Sequence, residues 1–110
     1  MNKAMKIPES FELIGKTYKV MMVDDLTYSS GDRMVGQIQY DPATIRIQTN
    51  NSALARSEDS VLITYWHEVV HAVLSDMGEE KLSKDEKFVD LFASMLHQIN
   101  KTSKFKEEKK

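Results

Sequence analysis

The chain has 110 residues, 41% of them hydrophobic, and a formal net charge of −2. That length supports one compact domain with a modest core, and so balanced a charge provides no field to draw nucleic acid or an anionic membrane surface. There is no cysteine, so disulfides, zinc ribbons and thiol nucleophiles are excluded, and any metal site must be built from His, Asp or Glu.

Residues 1–10 form a short lead-in containing Pro8. In KTYKVMMVDD, Tyr18, Val20 and Met22 alternate with Thr17, Lys19 and Met21, the pattern of a half-buried strand. Residues 28–32 (YSSGD) read as a loop, and 34–40 as a second strand with Val35, Ile38 and Tyr40 apolar. Asp41-Pro42-Ala43-Thr44 is a turn signal, because proline presets φ and aspartate bonds the following backbone. Residues 44–49 (TIRIQT) alternate again, with Ile45 and Ile47 on one face. These segments predict a small antiparallel three-stranded sheet.

The second half changes period. Ser57 suits a helix N-cap, with Glu58 and Asp59 in the first turn where the helix dipole favours acids. Leu62, Trp66, Val69, Val70, Val73 and Met77 recur at steps of three and four, and Val61, Tyr65, Ala72 and Leu74 widen the apolar surface. The expectation is a helix over about 58–77, buried on more than one side and stopped by Gly78. A second helix follows over about 84–100. Ser83-Lys84-Asp85-Glu86 reads as its capping box. Phe88, Leu91, Phe92, Met95, Leu96 and Ile99 form an apolar stripe, with the first three orienting the packing. The fold class is α+β in a single domain over 1–100, and 101–110 (KTSKFKEEKK) is a charged tail expected to be disordered. No apolar run reaches membrane-span length, and the N-terminus lacks the apolar core of a signal peptide. A cytoplasmic protein with no membrane partner is expected.

Two of the three histidines stand in the first helix, as His67-Glu68-Val69-Val70-His71. Residues four apart share a helix face one turn up, so both imidazoles can reach one metal ion. Glu68 lies about 100° around from His67, bordering that face closely enough to take a proton from a metal-held water. This is the mechanical content of HExxH: two ligands and one general base within one turn. The competing explanation is a buried helix that happens to carry histidines. Three adjacent ionisable groups on so apolar a helix would be costly to desolvate without compensation, and a metal supplies it. The residues favour a zinc site.

A catalytic zinc takes three protein ligands and keeps one position open. The downstream candidates are Glu79, Glu80, Asp85, Glu86, Asp90 and His97; Glu79 and Glu80 fall in the turn, facing solvent. Glu86 and Asp90, four apart, share a face of the second helix. In a simple antiparallel hairpin about residue 80, Asp90 lies nearly level with the metal and Glu86 about 7 Å back along the axis; a splayed hairpin reverses the preference. Both acids remain candidates on these grounds. His97 lies about 10 Å beyond Asp90 along the axis and reads as a surface or partner-contact residue.

HEVVH followed by Glu86-Lys87-Phe88-Val89-Asp90 resembles the gluzincin metallopeptidase pattern, HExxH with a downstream ExxxD helix. The preceding sheet and Phe92-Ala93…Leu96 are also similar to the small ImmA/IrrE-like and SprT-like proteins of bacteria and phages. The resemblance implies that Glu86 is the third zinc ligand and that Asp90 accepts a hydrogen bond from a ligand imidazole, that of His67. It further implies a zinc-dependent peptidase with Glu68 as general base, acting on a protein or peptide in a bacterium or phage-infected host. The alternative is a regulatory or binding protein that keeps this fold around a structural zinc. Zincins commonly bind substrate as an added strand, and 44–49 is the expected sheet edge. Tyr40 and Tyr65 are weighed as oxyanion donors against plain core packing.

Overall fold

The structure is a computed structural model and describes residues 7–27, 35–51 and 54–106. Its first hairpin joins β1 (Ser10–Leu13) to β2 (Lys16–Asp24) through Ile14 and Gly15, both at positive φ. That two-residue geometry matches the twist of the flanking strands. The second hairpin joins β3 (Gly36–Tyr40) to β4 (Ala43–Asn51) around Asp41-Pro42, as the turn signal predicts. A short β5 (Leu54–Ala55) pairs with the end of β4.

The strand order is β1-β2-β4-β3, and β2 runs parallel to β4, with Val20 opposite Ile45 and Met22 opposite Ile47. The expected three-stranded antiparallel sheet is therefore corrected to a mixed sheet. A meander would set β3 beside β2, whereas β4 lies between them. The second strand of the β3–β4 hairpin pairs with β2 on its other side, in parallel. The predicted loop at 28–32 lies outside the described residues. β1 is short and offers only Phe11 and Leu13 as alternating apolar positions, so its text is too brief to announce a strand.

Helix α1 (Glu58–Asp76) begins at Ser57, whose Oγ accepts from the Ser60 amide, and ends before Gly78 at φ 80°. Its apolar residues serve two cores, which is why their stripe is so wide. Val61, Tyr65 and Ala72 pack with Tyr18, Ile45 and Ile47 of the sheet. Val70 and Leu74 pack with Val89 and Ala93 of the last helix. The layers run sheet, α1, α3.

The segment after Gly78 forms two helices where one was expected: α2 (Glu80–Lys84) and α3 (Glu86–Thr102). The capping box is also corrected. Asp85 caps α3 by accepting from the Phe88 amide, and Ser83 is buried within α2. Glu86 is thereby released from a capping role. Helix α3 packs on α1 through Val89, Ala93 and His97, while Leu91, Phe92, Met95 and Ile99 of its apolar stripe face solvent. The helix continues through Lys101 and Thr102, two residues into the expected tail. His97 is not a surface residue: only 6% exposed, it meets Asp59 at 3.0 Å and ties the end of α3 to the start of α1. Among the described residues, no helix is long and apolar enough to cross a membrane.

Candidate metal centre

His67 and His71 lie in the middle of α1, facing the opening turn of α3. Their Nε2 atoms are 3.2 Å apart. Glu86 brings Oε1 to 3.3 Å from the Nε2 of His67 and Oε2 to 3.6 Å from that of His71. Zinc–nitrogen distances of 2.0–2.1 Å at a tetrahedral angle require donors about 3.3 Å apart, so the two Nε2 atoms have that spacing, and each meets a different oxygen of Glu86. These three residues are the one group of potential metal ligands among the described residues.

The far side of each imidazole is also held. Asp90 Oδ1 is 2.8 Å from Nδ1 of His67. With Asp90 accepting from Nδ1–H, the Nε2 of His67 is the nitrogen turned toward His71 and Glu86. Ser83 Oγ is 2.9 Å from Nδ1 of His71. Burial, and then the neighbouring His67, hold the His71 imidazole below its ordinary pKa and keep it neutral. In the tautomer in which Ser83 accepts from Nδ1–H, the Nε2 of His71 offers its lone pair on the side of His67 and Glu86. Ring nitrogens and a carboxylate converging in this way suit a cation. A group of two imidazoles and one carboxylate could hold a metal ion.

Asp90 and Glu86 are thus separated in role by position. Asp90 sits behind the His67 ring, whereas Glu86 faces the convergence point. Glu86 reaches it because Asp85 starts the helix, placing Glu86 in the first turn and level with the histidines. Glu79, Glu80 and Asp85 stay outside the group.

Glu68 is buried to 6% exposure on the adjoining side of α1. Burial, and secondarily the charge of Glu86, push its carboxyl up to about 7. It lines a cleft of about 610 Å³ together with both histidines, Glu86 and the strand β3. Gly36 of β3 lies so close that a Cβ there would stand 2.8 Å from Glu68 Oε2 and 2.6 Å from Thr64 Cγ2. The absent side chain is what lets the strand pass over the glutamate. Arg56 fixes the same corner by donating to the carbonyls of Gln48 and Val35 and to Thr64 Oγ1.

The edge of the sheet is β3, not 44–49, which lies inside the sheet as β4 between β2 and β3. Tyr40, at the end of β3, lines the cleft, and burial keeps its phenol protonated well above neutral pH. Tyr65 belongs to the sheet-facing core, edge-on to Trp66. Ser83 and Gly36 have roles the residue pattern alone leaves unassigned. A glycine interrupting the strand text at 34–40 is a signal of close backbone approach. Ser83 carries no comparable signal, because a serine before a helix reads first as a cap.

No protein-family model, curated protein or solved structure matches this chain.

Proposed function

We propose that this chain is a zinc-dependent metallopeptidase in which His67, His71 and Glu86 hold the metal and Glu68 is the general base. The observation that carries the reading is the triangle of two Nε2 atoms and a carboxylate beside a buried glutamate in the same cleft. A metal held there acidifies water and polarises a carbonyl, lowering the barrier to hydrolysis.

The rest of the chemistry belongs to side chains of the chain itself. Glu68 takes a proton from the attacking water and delivers it to the leaving amine nitrogen, so the C–N bond breaks without expelling an amide anion. Its burial keeps the carboxyl close to neutral in proton affinity, which suits a group that must both accept and return a proton. Tyr40 supplies a protonated hydroxyl for the carbonyl oxygen. The substrate is a protein or peptide segment in extended form. Among the described residues β3 pairs only with β4, so its other edge presents backbone donors and acceptors along the cleft.

The test is Glu68→Gln. The variant is expected to bind zinc as the wild type does while peptide hydrolysis falls by about 10²–10⁴-fold. Unchanged hydrolysis excludes Glu68 as base. Tight zinc without hydrolysis in the wild type, and without hydroxamate binding at the metal, indicates the regulatory protein with a closed structural site.

A further inference from the structure

The two sides of β3 offer an added strand different company. Gly36 and Ile38 face α1, Gly36 against Thr64 and Glu68 and Ile38 against the sheet-facing core. By the alternation of a strand, Gln37 and Gln39 face the other way, onto the side of the sheet away from α1. On the neighbouring strand Arg46 stands opposite Gln37, turned to that same side because Ile45 and Ile47 are turned to α1. Its Nη1 donates to Oε1 of Gln39 at 3.0 Å and to Oε1 of Gln37 at 3.4 Å. The guanidinium therefore reaches across to β3, the strand that borders the cleft.

These contacts leave donors to spare. A guanidinium only donates, and Nε and Nη2 of Arg46 meet no acceptor among the described residues. Each glutamine that turns its oxygen to Arg46 turns its NH2 group away from it. Among the described residues Arg46 forms no ion pair with a carboxylate. Asp24 accepts from Thr49 and Asn50, Asp41 lies in the turn beyond Tyr40, and Glu12 is on β1, with β2 between it and β4. Lys19, opposite Thr44 on the same side of the sheet, adds a second positive charge.

An extended peptide paired with the free edge of β3 carries the pleat onward, so every second side chain stands beside Gln37 or Gln39, on the side of Arg46. The intervening side chains turn toward the cleft. A carboxylate on the outer side would accept from Arg46 and from a glutamine NH2 group, whereas an ammonium would meet the guanidinium at close range. We infer that the edge of β3 selects extended peptides with Asp or Glu among the side chains opposite Gln37 and Gln39, and that Arg46 sets this preference. The selectivity rests on the proposed binding of peptide along that edge, and it holds whether or not the bound peptide is cut.

The full chain carrying Glu68→Gln, in zinc-containing buffer, reads binding without turnover. The probes are labelled peptides in which Glu, Gln or Lys is moved one position at a time along a neutral Thr/Val background, followed by fluorescence anisotropy. Because Arg46 is only half-buried, Glu should bind about 3–10-fold more tightly than Gln, and Lys more weakly than Gln. The preference should appear at positions two apart and not between them. Arg46→Gln should abolish it and Arg46→Glu reverse it. Gln37→Glu gives Arg46 a carboxylate of its own and should abolish it with the arginine in place. Equal binding of Glu, Gln and Lys peptides at every position overturns the inference, as does a preference that survives both Arg46 variants or a failure to bind any of the peptides. Charge-selective binding beside a wild type that cuts none of these peptides removes the peptidase reading and leaves the selectivity standing. Hydrolysis by the wild type with no Arg46-dependent preference does the reverse.

Discussion

Replacing Gly36 by alanine tests whether β3 and the glutamate helix are fitted to one another. The new Cβ would stand 2.6 Å from Thr64 Cγ2, 2.8 Å from Glu68 Oε2 and 3.3 Å from Glu68 Cγ. Ordinary carbon contacts lie at about 3.5–4.0 Å, so the first is short by roughly 1 Å. Glu68 can swing its carboxylate away, but Thr64 Cγ2 is one bond from Cβ and is fixed by the Arg56 contact to Oγ1. The strand must therefore back off α1. Overpacking of this kind costs about 1–3 kcal/mol, and the lost freedom of glycine in the unfolded chain returns at most about 1 kcal/mol. A net loss of about 1–2 kcal/mol corresponds to a fall in Tm of roughly 5–12 °C in a domain of this size. Moving Glu68 by a comparable distance should also reduce peptide hydrolysis by on the order of 10²-fold. Thr64→Ser removes the clashing methyl and keeps the hydroxyl, so the double variant should recover about half the loss or more. Calorimetry of the four members of this cycle measures the coupling. A Gly36→Ala protein with wild-type Tm, or strictly additive losses in the double variant, would refute the contact.

Two further outcomes follow from contacts beside the site and at the helix ends. Ser83→Ala leaves Nδ1 of His71 without its partner and should weaken zinc binding about 10–100-fold by competition titration, with Ser83→Thr restoring most of it. Asp59 is held below the ordinary carboxylate value by Lys101 first and His97 second. Because the folded pKa is depressed, the stabilisation is present above the unfolded value near 3.8 and is lost as pH falls through the folded value. Asp59→Asn should therefore flatten the acid limb of a urea-midpoint profile, and an unchanged limb counts against this tie.

The α1 pattern was readable because three constraints agreed on it. Ser57 marked its start, Gly78 its end, and the wide apolar surface required packing on two sides. HEVVH could be placed on that helix with the side chains' directions known in advance. The mixed sheet was not readable, because parallel and antiparallel partners ask for the same alternation and the order of strands depends on a long connection. Helix α3 misleads for a related reason. Its best apolar stripe suggests an inward face, but the small Ala93 and the adjacent Val89 let α3 approach α1 closely and bury the other side. His97 was misassigned with it, since distance along the axis says nothing about which face turns inward. The choice between Glu86 and Asp90 depended on one residue of helix start. With Ser83 as cap, Glu86 is occupied; with Asp85 as cap, it turns toward the histidines.

Zinc binding by Glu86→Ala and Asp90→Ala, measured beside the wild type, tests the assignment of the metal centre most directly. The wild type should hold one zinc per chain. Asp90→Ala should keep that stoichiometry with affinity reduced about 10–100-fold, since Asp90 acts through the His67 ring. Glu86→Ala removes a ligand and should lose substantially more, with no stoichiometric zinc surviving a mild chelator. Tight, stoichiometric zinc in Glu86→Ala would contradict the centre described for this protein.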